Sequence, residues 1–215
     1  MAIPVLIIGK SGSGKSHSLK NLPQTDYALI NILGKPLPFK NDKPFLKTFN
    51  YKEIQQKMLG YVNAGVKNII IDDAGYLLTH ALMSAGAERT KGSNIFNHYR
   101  EMAENFYNLI TFVQAELPSD VIVTITMHEE RNDFGEVKPK TVGKMLDEKV
   151  SIEGLFTIVL NSVKDSEGYA FLTNTDGLSV TKSPEDMFEQ RIPNDLNFVI
   201  EKIREYYNLG GNNNE

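Results

Sequence analysis

The run Gly9-Lys10-Ser11-Gly12-Ser13-Gly14-Lys15-Ser16 follows directly on the apolar stretch Ile3 to Ile8, and this junction constrains the chain more than any other feature. It satisfies G-x-x-x-x-G-K-[ST], which roughly one chain in a hundred of this composition would contain by chance. Gly9, Gly12 and Gly14 permit backbone angles and close approaches that side chains would block. A strand before the motif and a short helical segment after it, Lys15 to Leu22, gather free backbone N–H groups and a helix amino terminus around one point. Such a nest suits a triphosphate. The candidate nucleotide-binding set is Gly9, Ser11, Gly12, Ser13, Gly14, Lys15, Ser16 and His17. In it, Lys15 reaches the β- and γ-phosphates and Ser16 offers its hydroxyl to Mg²⁺. The Lys10 and Ser13 side chains carry no such requirement and are expected on the loop surface.

The rest of the chain reads as α/β. Ile3 to Ile8, Tyr27 to Ile32, Val66 to Ile71 and Val121 to Met127 are apolar on both faces, as central parallel strands are. Tyr51, Ile54, Met58, Leu59 and Val62 recur at helical spacing, as do Phe96, Tyr99, Met102, Phe106, Leu109, Ile110 and Val113, a helix that Pro118 ends. This alternation predicts a mainly parallel central sheet flanked by helices. Phe156 to Lys164 and Tyr169 to Thr173, joined by Asp165-Ser166-Glu167-Gly168, then predict a closing antiparallel hairpin. Pro193-Asn194-Asp195 opens a last helix, with Leu196, Val199, Ile200, Ile203 and Tyr207 on one face. One domain over 1–208 and a disordered tail over 209–215 are expected, since Gly210 to Glu215 cannot bury anything.

A phosphate loop needs a carboxylate at the end of another buried strand, and Asn68-Ile69-Ile70-Ile71-Asp72-Asp73 provides two. Asp72 is the candidate for holding Mg²⁺ through water, and Asp73 for polarising the attacking water. Neighbours on a strand point to opposite sides, so Asp73 could instead cap the helix from Ala74. The strand Val121 to Met127 ends in His128 and Glu129, on the sheet edge where ligands bind. Thr126 or His128 is placed to sense the γ-phosphate or orient water; a solvated loop histidine is the plainer alternative for His128. A zinc-protease reading fails, because no second His stands four residues after His128. The catalytic candidates are therefore Lys15, Asp72, Asp73 and His128, with Ser16 and Asp72 for the metal.

Composition limits the partners. The chain carries 23 Lys plus Arg against 27 Asp plus Glu, a formal charge of -4, and no Cys, so thiolate metal sites, disulfides and cysteine nucleophiles are excluded. Mild acidity argues against a uniformly basic coat, but lysines gather in two places. Lys35, Lys40, Lys43 and Lys47 interleave with Phe39 and Phe45, and Lys138, Lys140 and Lys144 lie in the long segment Glu129 to Lys149. Lysines with aromatics suit a single nucleic acid strand; solvated lysines on polar loops are the plainer alternative. No stretch of about 18 apolar residues reads as a membrane span.

With these residues assembled, the chain resembles the P-loop ATPases of the RecA-like and AAA-type division, in particular the small phage ATPases associated with single-strand annealing and recombination. The resemblance rests on Gly9 to Ser16, the Asp72-Asp73 strand, the Thr126-x-His128 strand end, the loop with Gly143-Lys144 and the closing hairpin. It implies a RecA-like P-loop NTPase fold, ATP and Mg²⁺ as cofactors, ATP hydrolysis coupled to single-stranded DNA, and assembly into rings or filaments. It also implies a DNA-touching loop, here Glu129 to Lys144, and a lysine from a neighbouring copy at the phosphate site, for which Lys164 and Lys182 are the candidates. The chain departs from recombinases in lacking a glutamate after its second motif strand, leaving Asp73 as the carboxylate in that place. A small-molecule or nucleotide kinase, with Arg89 or Arg131 in a lid, and a nucleotide-gated interaction protein are the alternatives. The expected location is the cytoplasm, that of the host cell if the chain is phage-encoded.

Overall fold

The computed structural model describes residues 1–89 and 91–209, with only the backbone described at 144 and 145. The tail expected over 210–215 lies outside the described residues. Six strands run parallel: β1 (Ile3–Gly9), β2 (Tyr27–Asn31), β3 (Phe45–Leu46), β4 (Asn68–Asp72), β5 (Ile122–Arg131) and β7 (Ile158–Asp165). Their order across the sheet is β3-β2-β4-β5-β1-β7, continued by the antiparallel β8 (Gly168–Leu172) and β9 (Arg191–Pro193). The mainly parallel α/β sheet with a closing antiparallel hairpin is therefore as expected. Its turn is Asp165 to Gly168, with those two residues directly paired.

Alternation along each buried strand sends neighbouring side chains to opposite faces, and both faces are covered. Leu6 and Ile8 of β1 pack with Ile69, Ile71, Val123 and Ile125 beneath α1 (Tyr51–Asn63), α2 (Gly75–Met83) and α3 (Asn94–Glu116). Val5 and Ile7 face the other way, with Leu29, Ile70, Leu160 and Phe171, beneath α5 (Leu196–Tyr206) and the turn after the phosphate loop. Helix α5 starts where expected: Asp195 accepts from the Asn197 N–H at 2.9 Å. Leu209, which the sequence reading put in the tail, packs against this second core. Among the described residues no helix is long and apolar enough to cross a membrane.

The segment Glu129 to Lys149 is more ordered than its weak apolar pattern predicts. Strand β5 continues past the sheet to Arg131 and pairs antiparallel with β6 (Val137–Pro139). Asn132 closes the hairpin by accepting from the Phe134 and Glu136 N–H groups at 3.0 and 2.9 Å, and Gly135 takes a positive φ of 85°. The one-turn helix α4 (Lys144–Asp147) follows. A hairpin held by an Asx turn and by the burial of Val137 and Pro139 has no period-2 apolar signal to read.

Phe106 of α3 is wholly buried against the sheet. Phe106→Ala is expected to lower unfolding stability by about 3–5 kcal/mol, read as a lower urea midpoint at unchanged m value.

Candidate functional site

The sequence-derived site residues of the phosphate loop, β4 and β5 converge at the carboxyl ends of β1, β4 and β5. One cleft of about 1080 Å³ is lined by Ser11, Gly12, Gly14, Lys15, Ser16, His17, Asp72, Asp73 and His128, whereas Gly9 and Ser13 lie behind it. The loop is held from below. Ser162 of β7 donates to the Ser13 carbonyl at 2.9 Å, and Asn194 donates to Ser162 at 3.2 Å, so the segment before α5 steadies the phosphate loop. A Cβ at Gly9 would come within 2.6 Å of the Ser162 carbonyl oxygen, which is why that position has no side chain. Ser13, expected on the loop surface, is instead buried, its hydroxyl turned toward Gly9. Lys10 is exposed as expected.

The short helical segment expected over Lys15 to Leu22 is a six-residue 3-10 helix, Ser16–Asn21. Its serines compete for backbone groups, Ser18 donating to the Lys15 carbonyl at 2.7 Å, and Pro23 holds Leu22 extended. Lys15 is buried and donates to the carbonyls of Gly9 and Lys10 at 2.8 and 2.9 Å. Burial holds its pKa below the ordinary lysine value against the opposing pull of Asp73, Asp72 and Glu129.

Strand β5 lies between β1 and β4, and this neighbour relation places Thr126 beside the two aspartates. Thr126 donates to Asp72 Oδ1 at 2.7 Å and accepts from the Asp73 N–H at 2.9 Å. Ser16 donates to Asp72 Oδ2 at 2.9 Å, so the β1 and β4 halves of the site meet directly. Burial pushes the Asp72 carboxyl above the usual carboxylate range; the Asp73 charge adds to this, and the hydrogen bonds from Thr126 and Ser16 oppose it.

Asp73 is not the next residue of a strand. β4 ends at Asp72, and Asp73 takes a left-handed φ of 61°. Helix α2 has no side-chain cap, so the capping role considered for Asp73 is not what its side chain does. Its carboxylate faces Lys35 Nζ at 3.4 Å and His128 Nε2 at 3.8 Å. Burial lowers the His128 pKa, with Lys15 adding to that and Asp73 opposing it, so at neutral pH the ring is uncharged. Tyr76 completes this end of the cleft, edge-on to His128 with ring centroids 5.8 Å apart, and Lys35 Nζ lies 5.2 Å from its ring centre.

The three loop lysines separate. Lys138 is taken up by Asp147 at 2.7 Å and Glu130 at 3.2 Å. Lys140 is exposed and lines the cleft. The side chain of Lys144 lies outside the described residues. Of the two candidates for action from a neighbouring copy, Lys164 sits over the Tyr169 ring and Lys182 bridges through its backbone to Val159. Sequence reasoning did not find Ser162, Asn194 or Tyr169 at the site, and it read Lys35 only as part of a basic stretch; no spacing rule links these residues to the loop.

A family model described as an AAA domain matches residues 1–189 of the chain. No curated protein matches it.

The raised folded-state pKa of Asp72 has a defined sign. The unfolded chain gives up this proton at lower pH than the folded one, so stability from the group is present at acid pH and lost as pH rises through the folded-state value. At pH 7 Asp72→Asn is therefore expected to raise the thermal midpoint of the nucleotide-free protein. The gain should vanish below about pH 4, where Asp72 is itself protonated. Calorimetry of the two proteins across that range checks it.

Proposed function

This chain belongs to the AAA-domain family of P-loop ATPases, and on that premise we propose that it binds ATP with Mg²⁺ and hydrolyses it in response to single-stranded DNA. The observation that carries the reading is the direct hydrogen bond of Ser16 to Asp72 beside the buried Lys15. A hydroxyl and a carboxylate are hard oxygen donors, and two of them within hydrogen-bonding distance fit Mg²⁺, which keeps most of its remaining positions for water and phosphate. When bound, the ion supplies positive charge against the phosphate oxygens.

Lys15 trades two backbone carbonyls for the β- and γ-phosphate oxygens, a desolvated ammonium being better matched by an anion than by amide dipoles. Backbone N–H groups of Gly12, Gly14, Lys15 and Ser16 take the remaining phosphate oxygens, the Ser13 N–H already donating to the Lys10 carbonyl. Asp73 accepts a hydrogen bond from the attacking water, and neutral His128 beside it fixes that water's position. Thr126 is a positioning residue, holding Asp72 through its hydroxyl and Asp73 through that residue's backbone.

Coupling to a single strand runs through Lys35 and Lys140. Both are exposed lysines on the cleft, with Tyr76 between Lys35 and His128. A strand phosphate that engages Lys35 draws it from Asp73 and releases that carboxylate for water. Lys138, neutralised by two carboxylates, contributes little to DNA affinity. Assembly of copies into a ring or filament and a role in phage DNA recombination or annealing belong to the same proposal. The kinase alternative is not favoured: no arginine is among the described residues lining the cleft, Arg89 pairing with Glu101 and Arg131 with the Gly135 carbonyl.

Phosphate release from Mg·ATP should be measurable and rise with single-stranded DNA. Lys15→Ala and Asp72→Ala should each lower turnover by about a hundredfold or more. Transfer of the phosphate to an added small-molecule acceptor, or the absence of turnover, would sink the hydrolase reading. For DNA, Lys35→Ala with Lys140→Ala should reduce the slope of log affinity against log salt by about 1.4, while Lys138→Ala should leave it nearly unchanged.

A further inference from the structure

The cleft has two ends, on either side of β1 in the sheet order. The carboxylates of Asp72 and Asp73, with Lys35 and His128, mark the end where the terminal phosphate lies. A ligand whose phosphates thread the loop must carry its remaining atoms away from that end. On the other side of Lys15 the cleft is lined by Gly14, His17 and Tyr169.

This wall is built of rings. Tyr169 of β8 stacks on His17 with centroids 5.1 Å apart and an interplanar angle of 21°. Its ring is pressed against the phosphate loop: a Cβ on Gly14, whose φ is +107°, would come within 2.8 Å of Tyr169 Cδ1 and 2.9 Å of Asn194 Oδ1. The absent side chain at Gly14 thus lets the loop and the ring share one surface. Tyr169 nevertheless keeps 39% of its area exposed, so part of the ring is open to a ligand. The Nδ1 atom of His17 is buried without a hydrogen-bond partner among the described residues, so on that side the ring is fixed by stacking. Lys164 Nζ lies 4.8 Å from the Tyr169 ring centre, a cation held over a π-face.

We propose that Tyr169, backed by His17, is the platform on which the nucleobase of a nucleoside triphosphate stacks, in place of the Lys164 ammonium. The inference rests on the nucleotide-binding reading of the phosphate loop and adds to it the ligand's other half. Two stacked rings with few rotatable bonds offer a flat, pre-ordered face, and base stacking on such a face is indifferent to most differences between bases. The displaced Lys164 belongs to the exposed end of β7 and is free to turn to solvent.

Titration calorimetry with Mg·ATP and with Mg·tripolyphosphate separates the two halves. Wild-type protein should bind ATP about tenfold or more tighter than tripolyphosphate, a comparison that needs no variant. Tyr169→Ala should lose about tenfold in ATP affinity and less than twofold for tripolyphosphate. Tyr169→Phe should retain ATP affinity. Equal wild-type affinities for the two ligands would overturn the platform while leaving the phosphate-loop reading intact, and so would equal losses for both ligands in Tyr169→Ala and Tyr169→Leu. Binding of neither ligand by wild-type protein would overturn the phosphate-loop reading, and the platform with it.

Discussion

The buried carboxylate of Asp72 is the group around which the carboxyl edge of the sheet is organised. An ionised carboxylate removed from water is costly unless donors surround it. Here Ser16 arrives from the phosphate loop, Thr126 from the neighbouring strand, and the charge of Lys15 from the loop above. They come from two elements, the phosphate loop after β1 and strand β5, so Asp72 is satisfied only when β1, β4 and β5 stand in the observed order and register. Asp73 inherits its place from the same arrangement, because its N–H is anchored on Thr126 while its backbone turns left-handed out of the strand. Two carboxylates in sequence thereby acquire separate environments, one dry and hydrogen-bonded, the other facing Lys35, His128 and the open cleft. Holding a charged group in the dry position is a cost to folding.

The net charge of -4 conceals a local gathering of lysines at this cleft. Lys10, Lys15, Lys35 and Lys140 all line it, drawn from three separate stretches of chain, alongside Asp72, Asp73 and Glu129. Acidic residues elsewhere hold the overall charge negative, and some neutralise lysines outright, as Glu130 and Asp147 do for Lys138. A polyanion therefore meets lysines gathered in one concavity on a molecule of negative net charge, an arrangement that favours a directed contact over a diffuse one. The aromatic rings mark the two ends of this face, Tyr76 beside the carboxylates and Tyr169 beside Gly14.

Much of this was readable before any coordinates. Strands β1, β2, β4 and β5 are apolar on both faces and flanked by helical stripes, a pattern whose physical requirement is local, and each lies within two or three residues of its expected bounds at all but one terminus. The exception is the far end of β5, where Glu129-Glu130-Arg131 form a strand through pairing with β6, not through any apolar alternation of their own. The two- and three-residue edge strands β3 and β9 are invisible for the same reason: their hydrogen bonds come from neighbours.

The phosphate loop, the Asp72-Asp73 pair and the buried strands follow from the sequence alone, because backbone freedom at glycine and continuous apolar character are properties of consecutive residues. Which lysines meet the cleft, what Asp73 faces and which ring stands beside Gly14 depend on contacts between residues far apart in the chain: Lys35 to Asp73, Thr126 to Asp72, Tyr169 to His17. Side-chain charge and ring character are written in the sequence, but whether a lysine is neutralised by a carboxylate or left facing a ligand is a matter of distance in space. Only the packed sheet sets that distance.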